Sequence, residues 1–325
     1  MQKLIWKQSN MKNKKGIEFS FAWMFSIIVG AVIIFLAIYG ATRLVRTERA
    51  VSEAEVAKQL EILLNPVETS IEEGKISRIL FVDETRLYNN CRAEGTFGVQ
   101  RIRTSTISGI GEEWSTPGIA ATMFNKYIFS SEIIQGEEIE IFSKPFNMPF
   151  KVADVLVVWS DQEEYCFVDP PANVEEEINS LNPRGINMTS DVDDCKEGSI
   201  VVCFATSGCD VDVSMITKRV TKNGESVRFD DSFDDSLLYG AIFADAELYE
   251  CQLERLMKRA SELSLVYKDK AGVLSREGCS TNLEADLVSF ANAALEIEDS
   301  FDLGTIVNIA KSLGVKNDVL SCRLF

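Results

Sequence analysis

Hydrophobic and polar positions divide the chain into four stretches. Residues 19–42 read FSFAWMFSIIVGAVIIFLAIYGAT, 24 positions without a charge. A helix of that length measures about 36 Å, against about 30 Å for the hydrocarbon core of a bilayer, so the pattern predicts a retained transmembrane helix. A buried core helix of a soluble domain would show a polar face. A cleaved secretory signal would have a shorter apolar core, about 7–15 residues. Residues 44–64 continue in helix formers, with Val56, Ala57, Leu60, Leu63 and Leu64 on one stripe until Pro66 ends or kinks the helix.

From about residue 76 to 242 the pattern turns to β. Candidate strands are 76–82, 98–104, 138–142, 152–159, 165–168, 199–205 and 211–215. The continuous apolar run Val155-Leu156-Val157-Val158-Trp159 suits a central strand. Asn223-Gly224 between 219–222 and 225–229 predicts a hairpin. Short helices are expected near 118–129 and 174–181. Beyond residue 243 the period changes again. Leu253, Leu256, Ala260, Leu263 and Tyr267 share one face of a helix over 243–267. Thr281 and Glu284 have the spacing of a capping box opening a second helix through Ile297, and a third is expected over 303–313, stopped by Gly314. The fold class is therefore α+β in four parts. A basic cytoplasmic tail covers 1–15, a transmembrane helix and stalk 16–65, a β-rich external domain 66–242, and a helical part packed on it 243–325.

Composition agrees with a folded domain: 46% hydrophobic and 26% charged residues. Net charge is −17. Five of the 33 basic residues and one of the 50 acidic residues lie in 1–42, leaving 28 and 49 for the remainder. That acidic excess repels phosphate backbones and argues against nucleic-acid binding. The chain has no histidine, which removes Ser-His-Asp and Cys-His nucleophilic sites, HExxH zinc proteases and His-ligated metals together. Lys3, Lys7, Lys12, Lys14 and Lys15 precede the apolar stretch, whereas Arg43, Arg46, Arg49 and Lys58 follow it mixed with Glu48, Glu53 and Glu55. Positive charge favours the cytoplasmic side, so the N-terminus is expected there.

All eight cysteines, Cys91, Cys166, Cys195, Cys203, Cys209, Cys251, Cys279 and Cys322, follow the apolar stretch. An even number confined to one side of a membrane predicts disulfides in an oxidising space, the alternative being reduced core cysteines. Metal binding fits poorly, since no CxxC pair and no histidine accompany them. Spacing does not choose the pairing. Parity constrains it: five lie in the β-rich part and three in the helical part, so complete pairing within the chain requires at least one bridge between the two parts.

Lys14-Lys15-Gly16 followed by Ile17-Glu18-Phe19 and the long apolar stretch resembles the class III signal of type IV pilin-like proteins, and the Glu-Phe pair resembles the start of TadE-like pseudopilins. The resemblance spans about 30 residues. It implies cleavage by a prepilin peptidase between Gly16 and Ile17, packing of the exposed helix into a filament core, and a prokaryotic, archaeal source. Glu18 would be the second mature residue, whereas pilins usually carry their glutamate at the fifth. A plain signal anchor is the alternative, its lysines only setting topology.

The densest acidic cluster is Asp230-Asp231-Ser232-Phe233-Asp234-Asp235. Its four carboxylates are candidate Ca²⁺ ligands, although adjacent acids do not match the spaced calcium loop and a solvated loop is the simpler expectation. Asp191-Val192-Asp193-Asp194 and Asp210-Val211-Asp212 are expected to face water. The apolar run over 142–150 either seals the core or offers a partner-binding loop. Asn187-Met188-Thr189 is an N-glycosylation acceptor triplet. No cofactor and no catalytic residue is expected. The function these features imply is that of a single-pass, membrane-anchored structural or interaction protein of the cell surface, pilin-like in form. Its partners would be the lipid bilayer and further copies of itself or other surface proteins. The competing reading is a membrane-tethered carboxylate-based hydrolase or ligand-binding receptor.

Overall fold

The computed structural model describes residues 21–63, 75–107, 113–279 and 281–325. Gly16, Ile17, the lysines before them and Pro66 lie outside the described residues. The chain divides into two compact units, Met1–Arg49 and Ala50–Phe325. Helix α1 covers Phe21–Leu63.

Within the first unit, Phe21–Arg43 is long and apolar enough to cross a membrane, and its side chains are exposed along nearly the whole length. The Ser26 hydroxyl donates to the Ala22 carbonyl at 2.9 Å, and Thr42 to the Tyr39 carbonyl at 3.0 Å. Both polar groups are thus returned to the helix's own backbone, as lipid requires. Trp23 and Tyr39 lie about 24 Å apart along the axis. Arg43 packs over the Tyr39 ring at 5.9 Å.

The second unit is an α+β body built on two six-stranded sheets. The first contains β1 (Lys75–Arg92), β2 (Val99–Thr106), β3 (Ala121–Met123), β4 (Tyr127–Phe129), β5 (Ile133–Asn147) and β6 (Lys151–Ser160), in the order β3-β2-β1-β5-β6-β4. Five spacings of about 4.8 Å would hold the edge strands of a flat sheet about 24 Å apart. The residues joining β3 to β4 span at most about 15 Å. The sheet must therefore curl, and its inner face closes over Ile79, Leu87, Ile102, Ile128, Ile134, Ile139, Ile141, Leu156 and Val158. Where β1 meets β5, residues 81–84 stand opposite Glu137 alone, a wide bulge that pushes Leu80 and Val82 into solvent.

The second sheet contains β7 (Tyr165–Val168), β8 (Ile186–Thr189), β9 (Ile200–Cys203), β10 (Val211–Ser214), β11 (Arg219–Lys222) and β12 (Glu225–Arg228), in the order β12-β11-β10-β9-β7-β8. Strand β7 runs parallel to both β8 and β9, β9 parallel to β10, and the last three strands are antiparallel. Helix α2 (Ala172–Leu181) makes the crossover from β7 to β8. One face, through Tyr165, Phe167, Val202, Val211, Val213, Val220 and Val227, joins the main core. The opposite face carries Cys166, Val168, Val201 and Cys203, with Cys195 and Cys209 packed onto them. On that face disulfides cover the apolar positions.

Helix α3 (Ser236–Phe243) lies in the main core with all eight residues buried. It is followed by α4 (Ala246–Arg276), α5 (Glu284–Leu295) and α6 (Leu303–Asp318). Four expectations are corrected. Residues 118–129 hold strands β3 and β4 rather than a helix, because β2 and β6 supply ladder partners. The expected helix over 243–267 forms as α4 with its start moved to Ala246, and α3 lies in a segment expected to be β. No Thr281 cap opens α5: the N-cap is Leu283 without a side-chain bond, and the Thr281 hydroxyl is buried without a partner. Helix α6 continues through Gly314 to Asp318, its last turn held by Asn317, which donates to the Phe325 carbonyl and accepts from the Leu324 amide.

Candidate functional site

The eight cysteines form four disulfides, Cys91–Cys251, Cys166–Cys195, Cys203–Cys209 and Cys279–Cys322, with Cα–Cα distances of 6.1, 5.8, 6.1 and 6.0 Å. The first joins β1 to α4 and ties the curled sheet to the helical part. The second and third cover the outer face of the second sheet. The last closes the C-terminal helices. Disulfides persist in oxidising compartments.

The acidic cluster before α3 does not converge on a point. The Asp230 carboxylate accepts from the Ser232 amide at 2.9 Å. Asp231 pairs with Lys218. Asp234 accepts from the Ser236 amide at 3.0 Å and from the Asn147 amide at 2.6 Å, fixing the helix start against β5. Asp235 makes no capping bond and turns instead to Lys144. Among the described residues no group of three or more acidic or cysteine side chains could hold a metal ion. Asp191 accepts from the Asp193 amide at the start of a short 3-10 turn. Contrary to expectation, Asp210 and Asp212 do not simply face water. Asp210 accepts from the Val201 amide at 2.8 Å, and Asp212 accepts from the Gly208 and Cys209 amides at 3.0 Å, bracing the Cys203–Cys209 loop. Asn187 is exposed on β8, an edge strand.

The run over 142–150 seals the core. Phe142, Phe146, Met148 and Phe150 are buried, and the Phe150 ring packs against Tyr267, Phe290 and Phe325 at 4.7, 5.8 and 5.3 Å. Lys144 is the charge within it. Its Nζ donates to both oxygens of Glu177 on α2, at 2.6 and 2.7 Å, and pairs with Asp235. The Phe142 and Tyr239 rings stand 5.3 and 4.7 Å from the same nitrogen. Burial, followed by the neighbouring Glu177 charge, pushes the Tyr239 phenol well up.

Arg255 is also a buried cation. From α4 it donates to the carbonyls of Phe97, Phe124 and Lys126 at 3.2, 3.1 and 2.8 Å and to Gln252 at 2.8 Å, with its guanidinium 4.8 Å from the Tyr127 ring. Burial lowers its pKa to about 10. Gln252 donates to Gln100, and Gln100 to Asn89, so a polar chain crosses from helix to sheet. Arg255 stands between the core positions Leu253 and Leu256 of α4, where a cation beside apolar positions was the available signal. Lys144 within the phenylalanine-rich run offered the same signal. Neither was singled out from sequence.

Burial is the first cause that raises the pKa of three glutamates. Glu140 is held by Arg78 at 2.5 Å, Glu163 accepts from the Ser160 amide at 3.0 Å, and Glu250 accepts from the Ser300 amide at 2.7 Å. Each is engaged in bracing the fold. A surface cleft of about 130 Å³ is lined by Asn90, Glu132, Asp245 and Glu247 beside the Cys91–Cys251 bridge. Its acidic lining suits a small cationic group. A wider groove of about 560 Å³ runs past Phe204, Ser207, Met215 and Ile216.

No protein-family model, curated protein or solved structure matches this chain. Its chemistry therefore rests on its own geometry: an exposed apolar helix, a disulfide-covered body, and buried charges that bind elements to one another.

Proposed function

We propose that this is a single-pass surface protein, with its N-terminus in the cytoplasm, its body outside, and a structural or interaction role of pilin-like form. The observation that carries the reading is the exposed apolar helix Phe21–Arg43, joined in one chain to a body holding four disulfides. An uncharged helix of this length is stable in lipid, and disulfides accumulate outside the cytosol. The Lys14-Lys15-Gly16 segment supports processing before Ile17.

The test is fractionation of cells expressing the full chain, followed by protease treatment of intact cells and mass spectrometry of the N-terminus. The expected result is a protein that resists alkaline extraction from membranes, loses its body to external protease, and begins at Ile17. Recovery in the soluble fraction, or a body protected in intact cells, overturns the topology. An uncut N-terminus reduces the proposal to a plain anchor. The acidic cleft beside Cys91–Cys251 favours a second reading, a tethered receptor for a small cation, which saturable binding of an alkylammonium probe to the intact protein would support.

A further inference from the structure

Lys144, Glu177 and Asp235 place an amine, a proton carrier and an acid together within one part-buried site. The Lys144 side chain is 8% exposed, that of Glu177 24% and that of Asp235 18%. Phe142 and Tyr239 pack edge to face, with ring centroids 5.2 Å apart, and close the apolar side of the ammonium group. Three separate elements deliver the groups: β5, α2 and the residue before α3. Asp235 is free for this contact because Asp234 takes the capping role at the helix start.

We propose that Lys144 and Asp235 condense into an intramolecular isopeptide bond, with Glu177 carrying the protons. Glu177 grips Nζ with both oxygens, which places its lone pairs to take a proton from the ammonium group. The neutral amine then attacks Cγ of Asp235. The new C–N bond forms and one C–O bond breaks. Two of the three ammonium protons leave with that oxygen as water, relayed through Glu177. The reaction converts –NH₃⁺ and –COO⁻ into –NH–CO– plus one water, with no oxidant, reductant or outside reactant. Two effects drive it. Fixed contact replaces a bimolecular encounter, which raises the effective concentration by many orders of magnitude. A buried ion pair carries a desolvation cost that a neutral amide does not.

The test is a peptide map of the full-length protein after reduction and alkylation, together with its intact mass. The expected result is a branched peptide joining the segments that contain Lys144 and Asp235, and an intact mass lower by one water than the processed sequence requires. Linear peptides with both side chains free would overturn the proposal, and so would a branch at Glu177. This measurement on the unaltered protein needs no variant to fold. In Glu177→Gln the branched peptide is expected to disappear while the linear pair returns. A branch formed at the normal yield in that variant would remove Glu177 from the role given to it. The inference stands apart from membrane topology, since every group lies in the body.

Discussion

At Gly240 the central helix α3 meets the Phe129 ring so closely that a Cβ would fall 2.7 Å from a ring carbon. Gly240→Ala is expected to destabilise the body by about 1–3 kcal/mol, the usual cost of overpacking a core. Denaturant unfolding would measure it, and adding Phe129→Leu should recover part of the loss. No rescue would mean that the cost comes from elsewhere. Arg255→Met tests the opposite case, a buried group lost rather than added. Three carbonyls and Gln252 would lose a donor at once, so a loss of about 2–4 kcal/mol is expected by the same assay. Neither position was legible in the sequence. A glycine inside an apolar run and a cation beside core positions of a helix acquire meaning only from what stands opposite them, Phe129 in one case and the carbonyls of two distant loops in the other.

Among elements, legibility followed how strongly a local pattern belonged to one structure. The run Val155–Trp159 reads as a central strand and lies within β6, and Tyr165–Val168 forms β7 with the expected bounds. The hairpin at Asn223-Gly224 forms because both residues adopt positive φ, 54° and 81°. Helix α3 escaped because SLLYGAIF is apolar on every face, and eight such residues have no period to separate helix from buried strand. Strands β3 and β4 escaped because three residues cannot declare a pattern, and their pairing with β2 and β6 is set elsewhere in the chain. Two predictions belong here. Replacing Cys91 and Cys251 by serine should cost about 2–5 kcal/mol and lower the melting temperature of the body. An unchanged melting temperature would show the bridge to be dispensable. Ile33→Arg in the middle of the apolar helix adds about 2.5–3.5 kcal/mol to membrane insertion and should shift the protein out of the membrane fraction. Full retention there would argue against a spanning role for this helix.

For the whole molecule, charge and burial oppose one another. Glu140, Glu163 and Glu250 hold their protons more tightly in the folded body than in the unfolded chain, since burial raises all three. The cost of ionising them is fully present at neutral pH and is relieved as pH falls through their raised values. Glu84 behaves in the opposite sense: hydrogen bonds from Gln162 and Gln135 lower its pKa, and its contribution is lost only in stronger acid. With a net charge of −17, partial protonation also eases self-repulsion. Thermal melts at constant ionic strength should therefore show stability rising as pH is lowered from neutrality toward the raised values of these glutamates. A melting temperature that falls steadily across that window would contradict this balance.

The bridge between Cys91 and Cys251 also governs how the body answers a pull. Tension applied between the N-terminal end and the C-terminus passes through this covalent link, which bypasses the 160 positions separating the two cysteines. At about 3.5 Å per residue, some 560 Å of slack stays locked away under load. Reduction would free the stretches on either side of the proposed Lys144–Asp235 link, so a body tugged from its two ends keeps its length until its thiols are freed.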